Sequence, residues 1–387
     1  MCGTRQSLGS AGVCDTVSLA VGNARVVTMV SPLEPRQGRQ DDGRTHARPA
    51  RPLDAHVLRT LSLDLIGRPP FAVEVEEWSG KPVQAFLDTV LGSQEFWEHW
   101  YEEQLYYFLL IDNFRPATDS TRTIPAKLVE GRMSVRDALH RVALSSSFNL
   151  RNPGADTFVT VVMEQVVGLT VQKHKAELEI GKRVYDGHNG LFLGSFGENQ
   201  SDVVRIAIES KAAARAFTAR EFVRMTHREA PKKELAAWTR KLHKDPHTFI
   251  EVVREWLLSE AYEARLAHPV PLANRLFVRA VFVDLLGRLP EPAEAEPLRN
   301  ALDGLSDSRP LRSVLVRLLL DSGSVPIPEK NSIRDVTEWV AGLFPRFLGR
   351  EATPEELKAF VLAFGEPECR PKTILYAILS NAEYHTF

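Results

Sequence analysis

The chain has 387 residues, 44% of them hydrophobic and 25% charged, and carries a formal net charge of -2 at pH 7. Those are ordinary globular proportions, and a charge so close to neutrality gives no basis for a nucleic-acid partner or an anionic membrane surface. The three cysteines, Cys2, Cys14 and Cys369, form no CxxC pair, which excludes a disulfide scaffold and a cysteine-based zinc site.

Residues 1–52 are rich in Gly, Arg, Pro and Ser and lack helical periodicity, so a disordered tail is expected there. Their most apolar stretch, Leu19 to Val30, is short, contains Arg25 and follows no basic region. It reads as neither signal peptide nor membrane span. The sequence as given points to the cytoplasm, whereas a start at Met29 or further upstream would point outside it.

Residues 53–112 contain the stretch that organises the chain, LDLIGRPPFAVEVEEW (Leu63 to Trp78). It aligns without gaps on VRMTHREAPKKELAAW (Val223 to Trp238), VDLLGRLPEPAEAEPL (Val283 to Leu298) and PRFLGREATPEELKAF (Pro345 to Phe360). The sixth position is always arginine (Arg68, Arg228, Arg288, Arg350) and the twelfth always glutamate (Glu74, Glu234, Glu294, Glu356). Gly67, Gly287 and Gly349 precede three of the arginines, with His227 in the fourth copy. That suits a helix end in the left-handed conformation. A second helix follows, its glutamate placed to cap the first turn, as in the capping box Thr353-Pro354-Glu355-Glu356. A third segment opens at Pro82, Pro246, Pro310 or Pro371 and ends at Ser93, Ser259, Ser322 or Ser380, with Phe96, Tyr262 and Tyr384 shortly after three of these serines. The unit of roughly 50 to 60 residues lies in the range of stacking helical repeats.

The interval from Arg68 to Arg228 is more than twice that between the later arginines, which implies an insertion over 113–216. It reads as a polar loop (Asn113 to Thr123), a helix near Val135 to Ser145, a buried helix over Phe158 to Val171, and a helix near Lys173 to Val184. The glycine-rich loop Tyr185 to Gln200 comes next, then a helix capped by Ser201 and running from Asp202 to about Arg215. Units at 217–268, 269–330 and 331–387 complete an all-α array of four related three-helix units.

No catalytic constellation emerges. An Arg/Glu pair recurring in every unit is a structural tie, since a catalytic group is needed once. His243 and His247 have the spacing of helical metal ligands, but Pro246 lies between them. His99, between Trp97 and Trp100, reads as a hydrogen-bonded core histidine. The aromatics Phe96, Trp97, Trp100, Tyr101, Tyr106, Tyr107 and Phe108 read as core rather than a ligand groove. Gly194-Ser195-Phe196-Gly197 lacks the spacing of a nucleophile elbow, and the glycines of the 185–200 loop match no phosphate-binding motif. No cofactor is implied. The loop's Tyr185, Asp186, His188, Asn189, Glu198 and Asn199 have no evident structural duty, which makes them the candidate ligand or partner contacts.

LDLIGRPPFAVEVEEW with SQEFWEHW resembles a helical domain of unknown function common in planctomycete proteins, where it often accompanies c-type cytochrome domains. LGREATPEELKAF with ILSNAEY is similar to a helical module of bacterial surface proteins, itself remotely similar to phycobilisome linker domains. These resemblances imply an extracytoplasmic home and bring no catalytic residues. The absence of CxxCH excludes covalent haem attachment. The sequence thus favours a non-enzymatic interaction or scaffold protein with a protein partner. The alternatives are a small-ligand-binding or enzymatic protein with its site in the insertion, or an accessory subunit of a redox complex.

Overall fold

The computed structural model describes residues 52–109 and 123–387. The tail expected over 1–52 thus lies, apart from Pro52, outside the described residues, as does the polar loop Asn113 to Thr123 apart from Thr123. The fold is all-α; among the described residues the strands form one two-stranded sheet. No described helix is long and apolar enough to cross a membrane.

Four times a helix stops at a left-handed residue and a second and third helix follow. The first set is α1 (Ala55–Ile66), α2 (Ala72–Trp78) and α3 (Val83–Val90), and α4 (Gln94–Leu109) runs on from it. Within the insertion lie α5 (Ile124–Val129), α6 (Val135–Ala143), α7 (Ser146–Arg151), α8 (Gly154–Val161) and α9 (Lys175–Tyr185). The hairpin β1 (Gly190–Phe192) and β2 (Ser195–Gly197) and the helix α10 (Gln200–Glu209) complete it. The second set is α11 (Lys211–Thr226), α12 (Lys232–Lys244) and α13 (Phe249–Leu257), followed by α14 (Glu260–Leu266). The third comprises α15 (Asn274–Leu286), α16 (Pro292–Asp303) and α17 (Arg309–Asp321), and the last α18 (Val336–Leu348), α19 (Pro354–Gly365) and α20 (Pro371–Leu379).

The left-handed stops are Gly67, His227, Gly287 and Gly349, with φ of 69°, 53°, 66° and 69°. Three of the serines that end the third helices tie off the turn that follows. The hydroxyls of Ser93, Ser259 and Ser322 donate to the carbonyls of Val90, Trp256 and Leu319 at 2.7, 2.6 and 2.8 Å.

A buried helix is present where one is expected over Phe158 to Val171, as α8 continued by a π-turn at Val162–Val167, but left-handed Gly168 closes it at Val167, and Val171 opens a separate 3-10 turn. Val159, Val162, Val166 and Val167 are buried with Phe158 and Met163 at helical spacing, while Glu164 is exposed, so β propensity gives way to packing. A second boundary is corrected as well. Ser201 caps no helix: Asn199 is the cap, its side-chain oxygen accepting from Asp202 N at 3.1 Å. The helix then breaks at Ser210, whose hydroxyl accepts from Ala213 N and starts α11. The break makes two helices, α10 and α11, where one over Asp202 to about Arg215 is expected, and α11 begins before residue 217.

The apolar side chains form two cores. One spans Leu53 to Leu266, covering the first two sets and the insertion; the other joins Leu63 to residues from Leu272 to Tyr384. Phe96, Trp97, Trp100, Tyr101 and Phe108 are all buried in the first core, while Tyr106 is exposed. Edge-to-face pairs such as Trp97–Trp100, with centroids 5.6 Å apart, fill it.

Where the halves meet, α1 contributes two buried aspartate-linked clusters, one through Asp64 and one through Arg59. Tyr262 donates its hydroxyl to Asp64 at 2.8 Å, and Tyr384 does the same to Asp284 at 2.8 Å. Both aspartates lie four residues before the arginine of their own set, and both tyrosines follow the serine of the next one. The corresponding position of the first set holds Phe96.

Candidate functional site

The Tyr185 to Gln200 stretch, read from sequence as a glycine-rich loop, contains the β1–β2 hairpin between the end of α9 and the start of α10. Gly190 pairs with Gly197, Leu191 with Phe196, and Phe192 with Ser195. The two residues between the strands, Leu193 and Gly194, both have positive φ (48° and 79°), the pattern of a type I′ turn. Leucine is a poor first residue for such a turn, because its Cβ crowds the left-handed backbone. The strain is held from outside: Leu193 N donates to the Glu177 carboxylate on α9, and Phe192 is buried against the first core. Gly181, Gly190 and Gly197 let the hairpin approach α9 and α10 closely. A Cβ on Gly181 would lie 2.6 Å from Val159 and 2.8 Å from Phe192, and one on Gly197 2.9 Å from Val184.

The alternation of the strands turns Leu191 and Phe196 outward as a cross-strand pair, and they are 63% and 54% exposed. The six polar residues proposed from sequence do not converge on one point. Tyr185 is half-buried, its ring 5.1 Å from that of Phe158. Asn199 has the capping duty described above, and Glu198 offers its backbone N–H to Asp202 at 3.0 Å. Asp186, His188 and Asn189 are exposed on the segment leading into β1. Sequence reasoning missed Leu191 and Phe196. The available signal was a pair of apolar residues flanking a glycine-containing turn symmetrically, masked by leucine standing where Asn or Asp is usual.

The Arg/Glu register forms in three of its four places. Arg68 donates to Glu74 at 2.6 and 2.8 Å, Arg288 to Glu294 at 2.7 and 2.8 Å, and Arg350 to Glu356 at 2.8 Å twice. Each glutamate also accepts the N–H at the start of its helix, from Phe71, Glu291 or Thr353. Arg68 and Arg350 grip a second carboxylate, Glu95 at 2.5 and 2.9 Å and Glu383 at 2.5 and 2.7 Å, each just before the stub aromatic. Among the described residues no hydrogen bond or ion pair joins Arg228 to Glu234, which corrects the expectation of a tie in every copy. The position matching Glu95 and Glu383 is Ala261, and the turn is held instead by Thr226, which accepts from Arg228 N.

Other candidates separate in space. Ser195 lies on a strand, not at a strand-to-helix turn. Among the described residues, no group of three or more His, Cys, Asp or Glu side chains could hold a metal ion, His243 and His247 included. His99 is buried as expected but not hydrogen-bonded: Nδ1 has no partner, and Nε2 lies 3.7 Å from Glu103. Burial, reinforced by the positive charges of Arg275, Arg224 and Arg279, holds its pKa well below the usual histidine range, so the ring is neutral.

No family model, no curated protein and no solved structure matches the chain.

Proposed function

We propose that the protein is a non-enzymatic interaction protein that docks a protein partner through the outer face of the hairpin. The observation that carries this reading is the opposed pair Leu191 and Phe196, held outward by a backbone whose strain is tied to α9. Two large apolar side chains presented on an anchored hairpin cost solvation in the free protein and little ordering entropy on binding. Strained, over-determined turns concentrate at sites of recognition. Aromatic side chains are favoured interface anchors.

The test is photo-cross-linking from position 196 in the producing cell, with a benzoylphenylalanine in place of Phe196. The expected result is a discrete cross-linked protein that disappears when Leu191→Ser is added to an equally stable chain. No protein adduct, or one that survives Leu191→Ser, would overturn the reading.

A further inference from the structure

A cleft of about 330 Å³, with no hairpin residue in its lining, lies between α4 and the turn that leads into α16. One wall is a single face of α4, carrying Glu95, Glu98, His99 and Glu102. The opposite wall is apolar, built from Leu289, Pro290, Pro292 and Ala295, and Arg68 and Arg279 stand in the lining with Ile66.

The polar groups are unevenly satisfied. Arg68 is saturated by Glu74 and Glu95. Arg279 spends only Nη2, on both oxygens of Glu102 at 2.9 and 2.8 Å, and no hydrogen bond within the described residues reaches its Nη1. Glu98 accepts from Gln94 through Oε1 alone. His99, 4% exposed, hydrogen-bonds through neither ring nitrogen. Its Nδ1 is pressed against left-handed Gly67, so close that a Cβ there would lie 2.4 Å away. A bare lone pair in that position costs less than an N–H without an acceptor. The proton therefore sits on Nε2, at the other edge of the ring.

His99 lines the cleft with its Nε2 3.7 Å from Glu103, too far for a hydrogen bond, and Arg279 Nη1–H as donor and the free Glu98 oxygen as acceptor stand beside it, with an apolar wall opposite. Three carboxylates against two guanidiniums leave no strong field for an anion, and a cation would meet Arg279. Hydroxyl groups donate and accept from one atom and answer both kinds of partner. A ring with hydroxyls at its edge and C–H groups on its face would also use the apolar wall. We propose that this cleft binds a small uncharged polyol, one sugar ring in size, through His99, Arg279 and Glu98. The volume is at the low end for ligand sites and admits one ring.

The test uses the full chain and isothermal titration with D-glucose, D-galactose and D-mannose. D-glucosamine and D-glucuronate serve as charged counterparts. At least one neutral hexose is expected to bind at least tenfold tighter than both charged sugars. Glu98→Ala, at an exposed site that leaves folding intact, should weaken it about tenfold, the loss of one hydrogen bond to a charged group. Ala295→Phe, which fills the cleft from the apolar side, should abolish it. No binding by any hexose, tighter binding of either charged sugar, or hexose binding unchanged in both variants would each overturn the proposal.

Discussion

The two buried aspartates differ in what their arginines do. Asp284 takes a two-pronged bond from Arg59, at 3.1 and 2.8 Å, with Tyr384 as third partner. Asp64 has Tyr262 at 2.8 Å, but Arg265 Nη2 stays 3.6 Å away. Arg265 donates instead to the carbonyl of Phe387 at 2.9 Å, and its Nε and Nη2 lack hydrogen-bond partners. The same tyrosine–aspartate bond is thus completed once by a closed ion pair and once by a loose one. Burial without full compensation pushes the Asp64 carboxyl up to about 6. The pattern of residue types recurs, while its electrostatic completion depends on which helix supplies the arginine.

Breaking the closed pair should have the largest effect. Arg59→Met leaves a buried Asp284 carboxylate with only a phenol for company and should cost about 3–5 kcal/mol in urea unfolding. Arg265→Met should cost less, about 2 kcal/mol at pH 7, since what is lost is the hydrogen bond to the Phe387 carbonyl, the stacking of the guanidinium over the Phe387 ring and a distant attraction to Asp64. Because Asp64 can take up a proton, that cost should shrink at pH 5. An equal cost for the two substitutions would mean that the clusters are equivalent despite their geometry.

The pH dependence sharpens the same contrast. Asp64 is raised on folding, so its contribution is fully present below about pH 3.8 and is lost as pH rises through about 6. Glu294 and Glu356 run the other way. Their bonds to Arg288 and Arg350 lower both to about 2, so their contributions are present above about pH 4.5 and are lost as pH falls toward 2. In melting curves from pH 3.5 to 7, Asp64→Asn should gain stability relative to the parent as pH rises, whereas the disadvantage of Glu356→Gln should hold steady down to about pH 4.5 and begin to shrink below it.

Smaller effects belong to the exposed ties. Glu356→Ala removes one half of a capping box and should cost on the order of 1 kcal/mol. Arg228→Ala, at the one register position where no tie forms, should change stability by less than about 0.5 kcal/mol. A larger loss at Arg228 than at Glu356 would show that the sequence register, not the observed bonding, sets the energetics.

The helix stops, the prolines that open third helices and the caps at Glu74, Glu294 and Glu356 were legible because each depends on residues a few positions apart. The buried helix over Phe158 to Val171 was legible from its length and apolar spacing, but its π-turn was not, because local propensity does not specify that hydrogen-bond shift. The hairpin was hidden by the unusual Leu193, whose conformation depends on Glu177 far back in the chain. Arg59–Asp284, Asp64–Arg265 and the cleft around His99 join residues up to 225 positions apart. No short-range pattern encodes such pairings.

The placement of α1 bears on cooperativity. Leu58, Leu61 and Leu65 pack into the first core while Leu63, between them, packs into the second, and Arg59 reaches across to Asp284. Melting the second half alone would uncover Leu63 and take away Asp284 and Tyr384 from Arg59, so a half-folded species loses both apolar burial and the closed ion pair. The helix acts as a shared wall, and its amides should exchange with solvent only when both cores open.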